Sequence, residues 1–334
     1  MLYRRGAQGA EVARIQMRLK ELGDYLGPID GDFGGGTEAA VRAFQRARGL
    51  TADGEVGPRT WAALFPAEEI TPPAILARPL AYRTLALTGS FETGAGVPEA
   101  FAALSGDFDG QGLSFGALQW NLGQGALQPL LLDMDRAHPK LFEELFADRT
   151  AELRAVLVTD RDEQLAWARS IQDPRRFAIH EPWRGLFKTL GRRDEFQQIQ
   201  TTAAGRLHAR ALTLCRDYAI RSERAVALMF DIVVQNGSIS ALVRTQIERD
   251  FSRRPPTDDG DADEVARLGI IANRRAEAAN PRWVEDVRAR KLTIATGAGV
   301  VHGRHYDLEA QYGIRLVPVI QTAAARSTRR RRSP

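Results

Sequence analysis

Two carboxylic acids in the first third of the chain have the spacing and the surroundings of an acid–base pair. Glu92 follows the apolar, helix-like segment 80–91, and Asp109 comes seventeen positions later in a glycine-rich run. Hydrolysis of an acetal needs one carboxyl group that is held protonated and another that is ionised, which requires unlike environments. The end of an apolar helix would desolvate Glu92 in part, whereas a polar, hydrated loop would keep Asp109 ionised. The pair therefore predicts acid–base chemistry at a glycosidic bond.

The residues that follow Asp109 predict a short β-hairpin that carries it opposite Glu92. Glycines around Asp109 permit positive φ and let the backbone approach a ligand closely. We expect Gln119 and Asn121 to supply hydrogen-bonding groups near the predicted cleft. The hairpin is indicated by the apolar residues Leu113, Phe115 and Leu118.

This ordered pattern resembles the lysozyme superfamily, and within it the chitosanase-type branch. The resemblance implies Glu92 as the general acid, Asp109 as the general base and Ser114 as a residue that helps to place the attacking water. Because a helix end and a separate hairpin would lie on opposite walls of a cleft, we expect an inverting reaction. The residues that match the pattern are Glu92, Asp109, Gly110, Gly112, Ser114 and Gly116.

Each member of the pair also has a structural interpretation. A glutamate at a helix end is usually solvated or a cap, and an Asp-Gly pair is usually a turn. Asp107 is the alternative base, because on a strand it would share one face with Asp109. We also count Asp107 among the candidate substrate-binding residues.

Residues 1–65 have the pattern of a separate module. Apolar residues recur at helical spacing up to Gly23, where the first helix should end. One phrase then occurs twice, over residues 30–37 and 53–60, as Asp-Gly-Asp-Phe-Gly-Gly-Gly-Thr and Asp-Gly-Glu-Val-Gly-Pro-Arg-Thr. Each copy predicts a glycine turn followed by a threonine N-cap and a helix. Three short helices can share one small core.

The whole module resembles a peptidoglycan-binding domain of the three-helix type. The resemblance implies bacterial peptidoglycan as the partner and leaves open which residues contact the wall. The same residues also build turns and helix caps, so their structural role is expected in either case. The residues that carry the resemblance are Asp30, Phe33, Thr37, Asp53, Thr60 and Trp61.

The rest of the chain divides into a linker, a large domain and a tail. Prolines make residues 66–79 a semi-rigid spacer. Residues 80–320 are predicted to form a mostly helical domain, with helices that include 139–158 and 195–220. Residues 321–334 form a basic tail that we expect to be disordered. The predicted fold class is mainly α: a three-helix wall-binding domain plus a larger α+β lysozyme-like domain with a short hairpin.

One predicted helix, residues 223–235, is apolar almost all round and should be buried at the centre of the large domain. Asp231 and Gln235 lie on it, and polar groups in such a helix need partners and often face a cleft. Gln235 is therefore a candidate substrate-binding residue. A hydrogen bond satisfied within the core is the alternative interpretation.

The composition is that of an ordinary globular protein. The 334 residues, 44% of them hydrophobic and 26% charged, suffice for two domains. The net charge of +4 depends on five arginines within residues 326–332, so we expect no specific nucleic-acid partner. A single cysteine, Cys215, precludes a disulfide within one chain. We expect a monomer without a membrane span.

The N-terminus lacks the apolar core of a secretory signal peptide. This feature, combined with a wall-binding module and a lysozyme-like domain, resembles phage endolysins. The resemblance implies synthesis in the host cytoplasm and action on the bacterial cell wall after release by a separate route. A bacterial effector delivered by a secretion machine would show the same pattern.

Three classes of function fit these features. The favoured class is a peptidoglycan glycan-strand hydrolase, with a lytic transglycosylase or a chitosanase as alternatives on the same fold. The second is a zinc amidase or peptidase, although none of the five histidines forms a His-Glu-x-x-His or His-x-His motif. The third is a wall-binding protein without chemistry. We expect neither a metal nor a cofactor.

Overall fold

The computed structural model describes residues 3–70, 73–255 and 257–319. The chain divides into two compact units, and the boundary falls at Gly205. Helices dominate both units, which confirms the predicted mainly α fold class. Within the described residues, no helix is both long and apolar enough to cross a membrane. The predicted tail, residues 321–334, lies outside the described residues.

The first unit begins with three short helices, as the apolar periodicity predicts. Their apolar faces meet in one core, where Phe33 and Trp61 are almost completely buried. Tyr3 adds to this core by stacking on Trp61, with ring centroids 5.7 Å apart. The helices are α1 (Ala10–Glu21), α2 (Gly35–Ala47) and α3 (Pro58–Leu64).

The proline-rich segment is less extended than its composition predicts. Ala74–Ala77 forms a 3-10 helix in which Ile75 is buried, so apolar burial shapes this stretch as well as proline. Pro79 then stands directly before the first turn of α4 (Leu80–Thr93), a position where its missing N–H is not needed. Residues 71 and 72 lie outside the described residues.

In the described part of the first unit, six further helices follow a small sheet. The predicted helix 139–158 is interrupted by the 3-10 helix Ala147–Arg149, where Ala147 has a φ of 46°. The predicted helix 195–220 is likewise interrupted near the unit boundary. The helices are α5 (Gln128–Ala137), α6 (Pro139–Phe146), α7 (Thr150–Leu157), α8 (Arg161–Ser170), α9 (Trp183–Gly191) and α10 (Asp194–Ala203).

The small sheet is antiparallel and has one strand more than the predicted hairpin. It follows the 3-10 helix Glu99–Ala102, and its strands run in the order β1-β2-β3. Phe115 anchors the middle strand to the helices, because its ring stacks on Phe196 at 5.4 Å and meets the edge of Phe187 at 5.2 Å. The strands are β1 (Leu104–Ser105), β2 (Ser114–Phe115) and β3 (Trp120–Asn121).

The second unit is helical around the predicted central helix, α12. Residues 225–233 of this helix are all buried, as its uniformly apolar sequence predicts. A second β-hairpin, β4 (Ala298–Val301) with β5 (Arg304–Asp307), lies near the end of the unit. The helices are α11 (Gly205–Asp217), α12 (Glu223–Asn236), α13 (Ala241–Ser252), α14 (Gly260–Glu277), the 3-10 helix Pro281–Trp283, α15 (Val284–Thr296) and α16 (Leu308–Tyr312).

Candidate active site

Helix α4 carries Glu92 in its last turn and lies directly against the small sheet. A Cβ added at Gly89 would lie 2.8 Å from Ala117 Cβ and 3.1 Å from Ala117 O, so only glycine permits this approach. Glu92 lies one turn beyond Gly89 and is exposed, whereas Phe91 is buried. The expected partial desolvation of Glu92 is therefore not observed, because Phe91 takes the inward direction on this turn.

The loop 106–112, between β1 and β2, is fixed at its base by Asp107. One carboxylate oxygen of Asp107 accepts the N–H of Gly112 at 2.7 Å, and the other accepts Nε of Arg169 at 2.7 Å. Burial raises the pKa of Asp107, but the Gly112 N–H and the Arg169 guanidinium outweigh it and leave the pKa below its ordinary value. The side chain proposed as the rival base is thus buried and bonded on both oxygens.

Asp109 occupies the exposed tip of the same loop. Its Oδ1 accepts the N–H of Gln111 at 3.1 Å, the hydrogen bond of a short Asp turn. The residues on each side are exposed as well, and Phe108 keeps 64% of its surface open to solvent. Gly110 and Gly112 both have positive φ, which is why this run forms a loop although its sequence is strand-like.

Ser114 begins the middle strand two residues after this loop. It is buried, and it pairs with Ser105 on one side and Asn121 on the other. The structure thus places Ser114 at the start of β2, the middle strand of the sheet, directly after the Asp109 loop.

Gln119 and Asn121 form part of the turns around β3. The Gln119 amide accepts Ser105 Oγ at 2.7 Å and donates to Gly116 O at 2.9 Å. Asn121 is buried, and its Oδ1 accepts the N–H of Gln124 at 2.9 Å. Both side chains were predicted to bind substrate, and in this structure these bonds shape the sheet.

Two glutamines that the sequence analysis missed hold this region together. Gln172 Oε1 accepts the N–H of Asp107 at 2.8 Å and lies where any Cβ on Gly106 would clash. Gln200 is completely buried; its Nε2 donates to Phe101 O and its Oε1 accepts Ala117 N, both at 2.9 Å. The groups that these two glutamines bind lie 65 to 99 residues away in sequence. The closely packed glycines beside those groups are the only sequence signal that could have indicated such contacts.

The N-terminal module contains the same hydrogen-bonded arrangement twice. In the first copy, Gln16 Nε2 donates to Asp30 Oδ1 at 2.8 Å and to Thr37 Oγ1 at 3.1 Å. Its Oε1 accepts the N–H of Gly31 at 2.9 Å. We call this arrangement the glutamine cradle. It shows that Asp30 and Thr37 hold a turn in place.

The second glutamine cradle is built on Gln45. Its Nε2 donates to Asp53 Oδ1 at 2.7 Å and to Thr60 Oγ1 at 3.1 Å, and its Oε1 accepts the N–H of Gly54 at 2.8 Å. The N–H of Glu55 and the Gln45 amide keep the pKa of Asp53 below its ordinary value. Phe33 and Trp61 are core residues, so all six residues that carry the resemblance have structural roles.

Gln235 lies on α12 in the second unit, where its Oε1 accepts Lys291 Nζ at 2.9 Å. Asp231, one turn earlier, binds Arg290 at 2.6 Å and Lys291 at 2.9 Å. Burial raises the pKa of Asp231, but the two cations outweigh it and keep the pKa below its ordinary value. Both side chains therefore have partners within the second unit, which is the arrangement that the alternative interpretation describes.

The histidines do not assemble a metal-binding cluster in the described part of the chain. No group of three or more His, Cys, Asp or Glu side chains there has an arrangement that could hold a metal ion. His302 instead pairs with Asp286, with Nε2 2.6 Å from Oδ1.

Comparison with known proteins bears mainly on the N-terminal module. Residues 8–64 match the family described as putative peptidoglycan binding domain. Over 57 residues the chain is 47% identical to the N-acetylmuramoyl-L-alanine amidase CwlM of Mycobacterium tuberculosis. The matched stretch covers 17% of this chain and 14% of that protein. Over 59 residues it is 48% identical to a spore cortex-lytic enzyme of Bacillus cereus. This second match covers 18% of this chain and 23% of that protein. The chain thus spans less than a quarter of the length of these relatives.

A chitosanase solved as a complex is similar over a larger part of the chain. The match covers 68% of this chain and 95% of that one, at 18% identity and a TM-score of 0.43. By sequence, residues 8–64 are similar to peptidoglycan binding domains, which confirms the module predicted from the repeated Asp-Gly phrase.

Proposed function

We propose that this chain is a peptidoglycan hydrolase that holds the wall with residues 8–64 and cuts a β-1,4 bond of the glycan strand with Glu92 and Asp109. The contrast within the loop 106–112 carries the proposal. Asp107 is buried and bonded, which fixes the base of the loop, while Asp109 is exposed at its tip. A carboxylate on a firmly held support is suited to act on a bound ligand.

In the proposed reaction, the bound glycan strand covers the exposed Glu92 and shields it from solvent. Glu92 then donates its proton to the glycosidic oxygen as the bond between that oxygen and the anomeric carbon breaks. A water molecule forms the new bond to the anomeric carbon and gives its proton to Asp109. Glu92 is then ionised and Asp109 protonated, and both exchange protons with solvent before the next cycle. We propose inversion, with Ser114 placing the water, because the two carboxyls belong to a helix end and a separate loop.

The position of the wall-binding module supports this division of labour. A Cβ at Gly96 would lie 2.0 Å from Gln8 Oε1, so the turn that follows Glu92 packs directly against the module. Both lie in the same compact unit. A wall held by the module would stay near the end of α4, which raises the local concentration of substrate without new contacts at the scissile bond.

The decisive experiment compares Glu92→Gln with Glu99→Gln in the full chain, on purified walls and on soluble glycan fragments. We expect Glu92→Gln to lower turnover about 10²–10⁴-fold, since the proton donor is removed. Glu99→Gln is the matched control, because Glu99 pairs with Arg192 at 2.8 Å and should leave turnover unchanged. Wild-type turnover in Glu92→Gln would contradict the assignment.

Mass spectrometry of the digest separates the proposed hydrolase from its alternatives. Reducing ends support the proposal, with inversion read from the anomeric proton signals of fresh product by NMR, whereas 1,6-anhydro ends indicate a lytic transglycosylase. Cleavage of chitosan but not of walls indicates a chitosanase. Lysis that stops on addition of EDTA, with new amine and carboxyl ends and uncut glycan strands, indicates the zinc class. Wall binding without any product indicates a binding protein.

A further inference from the structure

The two glutamine cradles differ in one respect that the fold does not require. Fourteen positions separate Gln16 from Asp30, whereas eight separate Gln45 from Asp53, so the first turn is six residues longer. Both cradles nevertheless make the same bonds at nearly equal lengths. The extra residues of the first copy, within 24–29, are therefore an addition to a turn that is complete without them.

These extra residues form one wall of a pocket of about 530 Å³. Tyr25 holds the wall in place, because its side chain is buried and its hydroxyl donates to Pro28 O at 2.9 Å. A Cβ at Gly27 would lie 2.5 Å from that hydroxyl, so the turn fits closely around Tyr25. Leu26 stands next to this anchor and is 95% exposed, so the turn presents a large apolar side chain at the pocket.

The opposite wall of the pocket is the first turn of α2, where Gly34 and Gly36 line it. Neither glycine has positive φ, and a Cβ at Gly34 would meet nothing within 4 Å. The second copy has Pro58 and Arg59 after its equivalent glycine. Gly36 takes the place of Arg59, and neither backbone strain nor packing requires a glycine there, so we attribute the absence of a side chain at 36 to the open pocket.

The lining combines negative charge with apolar surface. Among the described residues that line the pocket there are three aspartates and no lysine, arginine or histidine. Asp30 belongs to the cradle, whereas Asp24 and Asp32 are half-buried in the wall. Apolar surface comes from Leu26, Pro28, Ala39 and Ala40. Such a lining complements an aliphatic chain that ends in an ammonium group, because the carboxylates attract the charge and the apolar groups contact the methylenes.

We propose that this pocket binds the amine-bearing residue of the peptidoglycan stem peptide, with its ammonium group at Asp24 and Asp32 and its aliphatic arm against Leu26. The inference rests on the proposed function for its choice of polymer, since an amine in the wall can come from a stem-peptide diamino acid.

The test measures binding of the full chain carrying Glu92→Gln to purified walls, with Asp24→Asn and Asp32→Asn added together. We expect affinity to fall about tenfold or more, since two charge-assisted contacts are lost. Glu55→Gln is the matched control, because Glu55 occupies the position of Asp32 in the second copy and should leave affinity unchanged. Gly36→Arg, which copies the second turn, should also weaken binding by filling the pocket. Equal affinity in the double variant and the control would overturn the proposal.

The ligand is tested with soluble probes in the same Glu92→Gln background. A purified disaccharide-tripeptide should bind, and the same fragment with its amine acetylated should bind at least about tenfold more weakly. Stronger displacement by glucosamine oligomers without peptide would overturn the stem-peptide assignment. Because binding is measured without turnover, a failure here leaves the catalytic proposal standing. Wall lysis by Glu92→Gln would refute the catalytic proposal without touching this one.

Discussion

The Asp-Gly turns of the N-terminal module and the loop 106–112 contain the same residue types, but their aspartate carboxylates have different hydrogen-bond partners. In the module, Asp30 and Asp53 are each held by a buried glutamine amide. In the loop, Asp107 is held in a similar way by Arg169 and a backbone N–H, and Asp109 is left exposed two residues later. The Asp-Gly turns of the module thus bind their carboxylates to a distant side chain, whereas the bond to the Asp109 carboxylate is a local one from the N–H of Gln111.

The largest expected effect separates Asp109 from the aspartates of the module. Asp109→Asn should lower turnover of soluble glycan fragments about 10²–10⁴-fold, because the proposed base is lost. Asp53→Asn should leave turnover of the same fragments unchanged, since Asp53 only holds a turn. Equal losses in the two variants, or wild-type turnover in Asp109→Asn, would remove the distinction on which the proposed site depends.

The next largest effect is expected on the stability of the module, when the first glutamine cradle is broken. Gln16→Leu should lower the stability of the module by about 2–4 kcal/mol, because it leaves the buried hydrogen-bonding groups of the first turn without partners. Hydrogen exchange at the backbone amides of α1 and α2 measures this stability directly. Gln124→Leu, at an exposed glutamine, should leave exchange in these helices unchanged. If Gln16→Leu left exchange unaltered as well, the cradle would not stabilise the module.

Asp107→Asn should have a smaller and pH-dependent effect. We expect a loss of about 1–3 kcal/mol at neutral pH, since Arg169 is partly exposed and solvent screens its charge. Because folding lowers the pKa of Asp107, its contribution is fully present above the unfolded value of about 3.9 and is lost as the pH falls through the folded pKa below it. Chemical unfolding between pH 7 and pH 2 should therefore show a flatter acid dependence in the variant. An unchanged acid dependence would contradict the role of Asp107 as the anchor.

The smallest effect is expected at Phe108, beside the proposed base. Phe108→Ser should change the free energy of unfolding by less than about 0.5 kcal/mol, because the ring is exposed. We expect KM for glycan fragments to rise about three- to tenfold, with kcat little altered, if the ring contacts the apolar face of a sugar. An unchanged KM would show that the exposed ring has no part in substrate binding.

Much of the fold could be predicted from local patterns. The three helices of the module and the buried helix α12 follow from apolar periodicity over single segments, which needs no knowledge of distant residues. The breaks in the helices predicted over 139–158 and 195–220 were missed. In the helix predicted over 139–158, the break occurs where Ala147 adopts a positive φ, which is uncommon for alanine and cannot be predicted from its residue type. The third strand was missed because two-residue strands carry too little periodicity to be recognised.

The candidate site likewise combines features that the sequence predicts with features that only the tertiary structure decides. The sequence alone was enough to recognise the order of Glu92, Asp109 and Ser114 and the repeated Asp-Gly phrase, because both depend only on residue type and spacing. Which aspartate of the loop is buried was decided by the tertiary structure, since Arg169 and Gln172 reach Asp107 from 62 and 65 residues away. The exposure of Glu92 was decided in the same way, by the close packing of Gly89 on Ala117 and the inward turn of Phe91. Spacing along the chain determines which groups can meet, whereas burial and hydrogen bonding between distant segments decide which of them remain free to react.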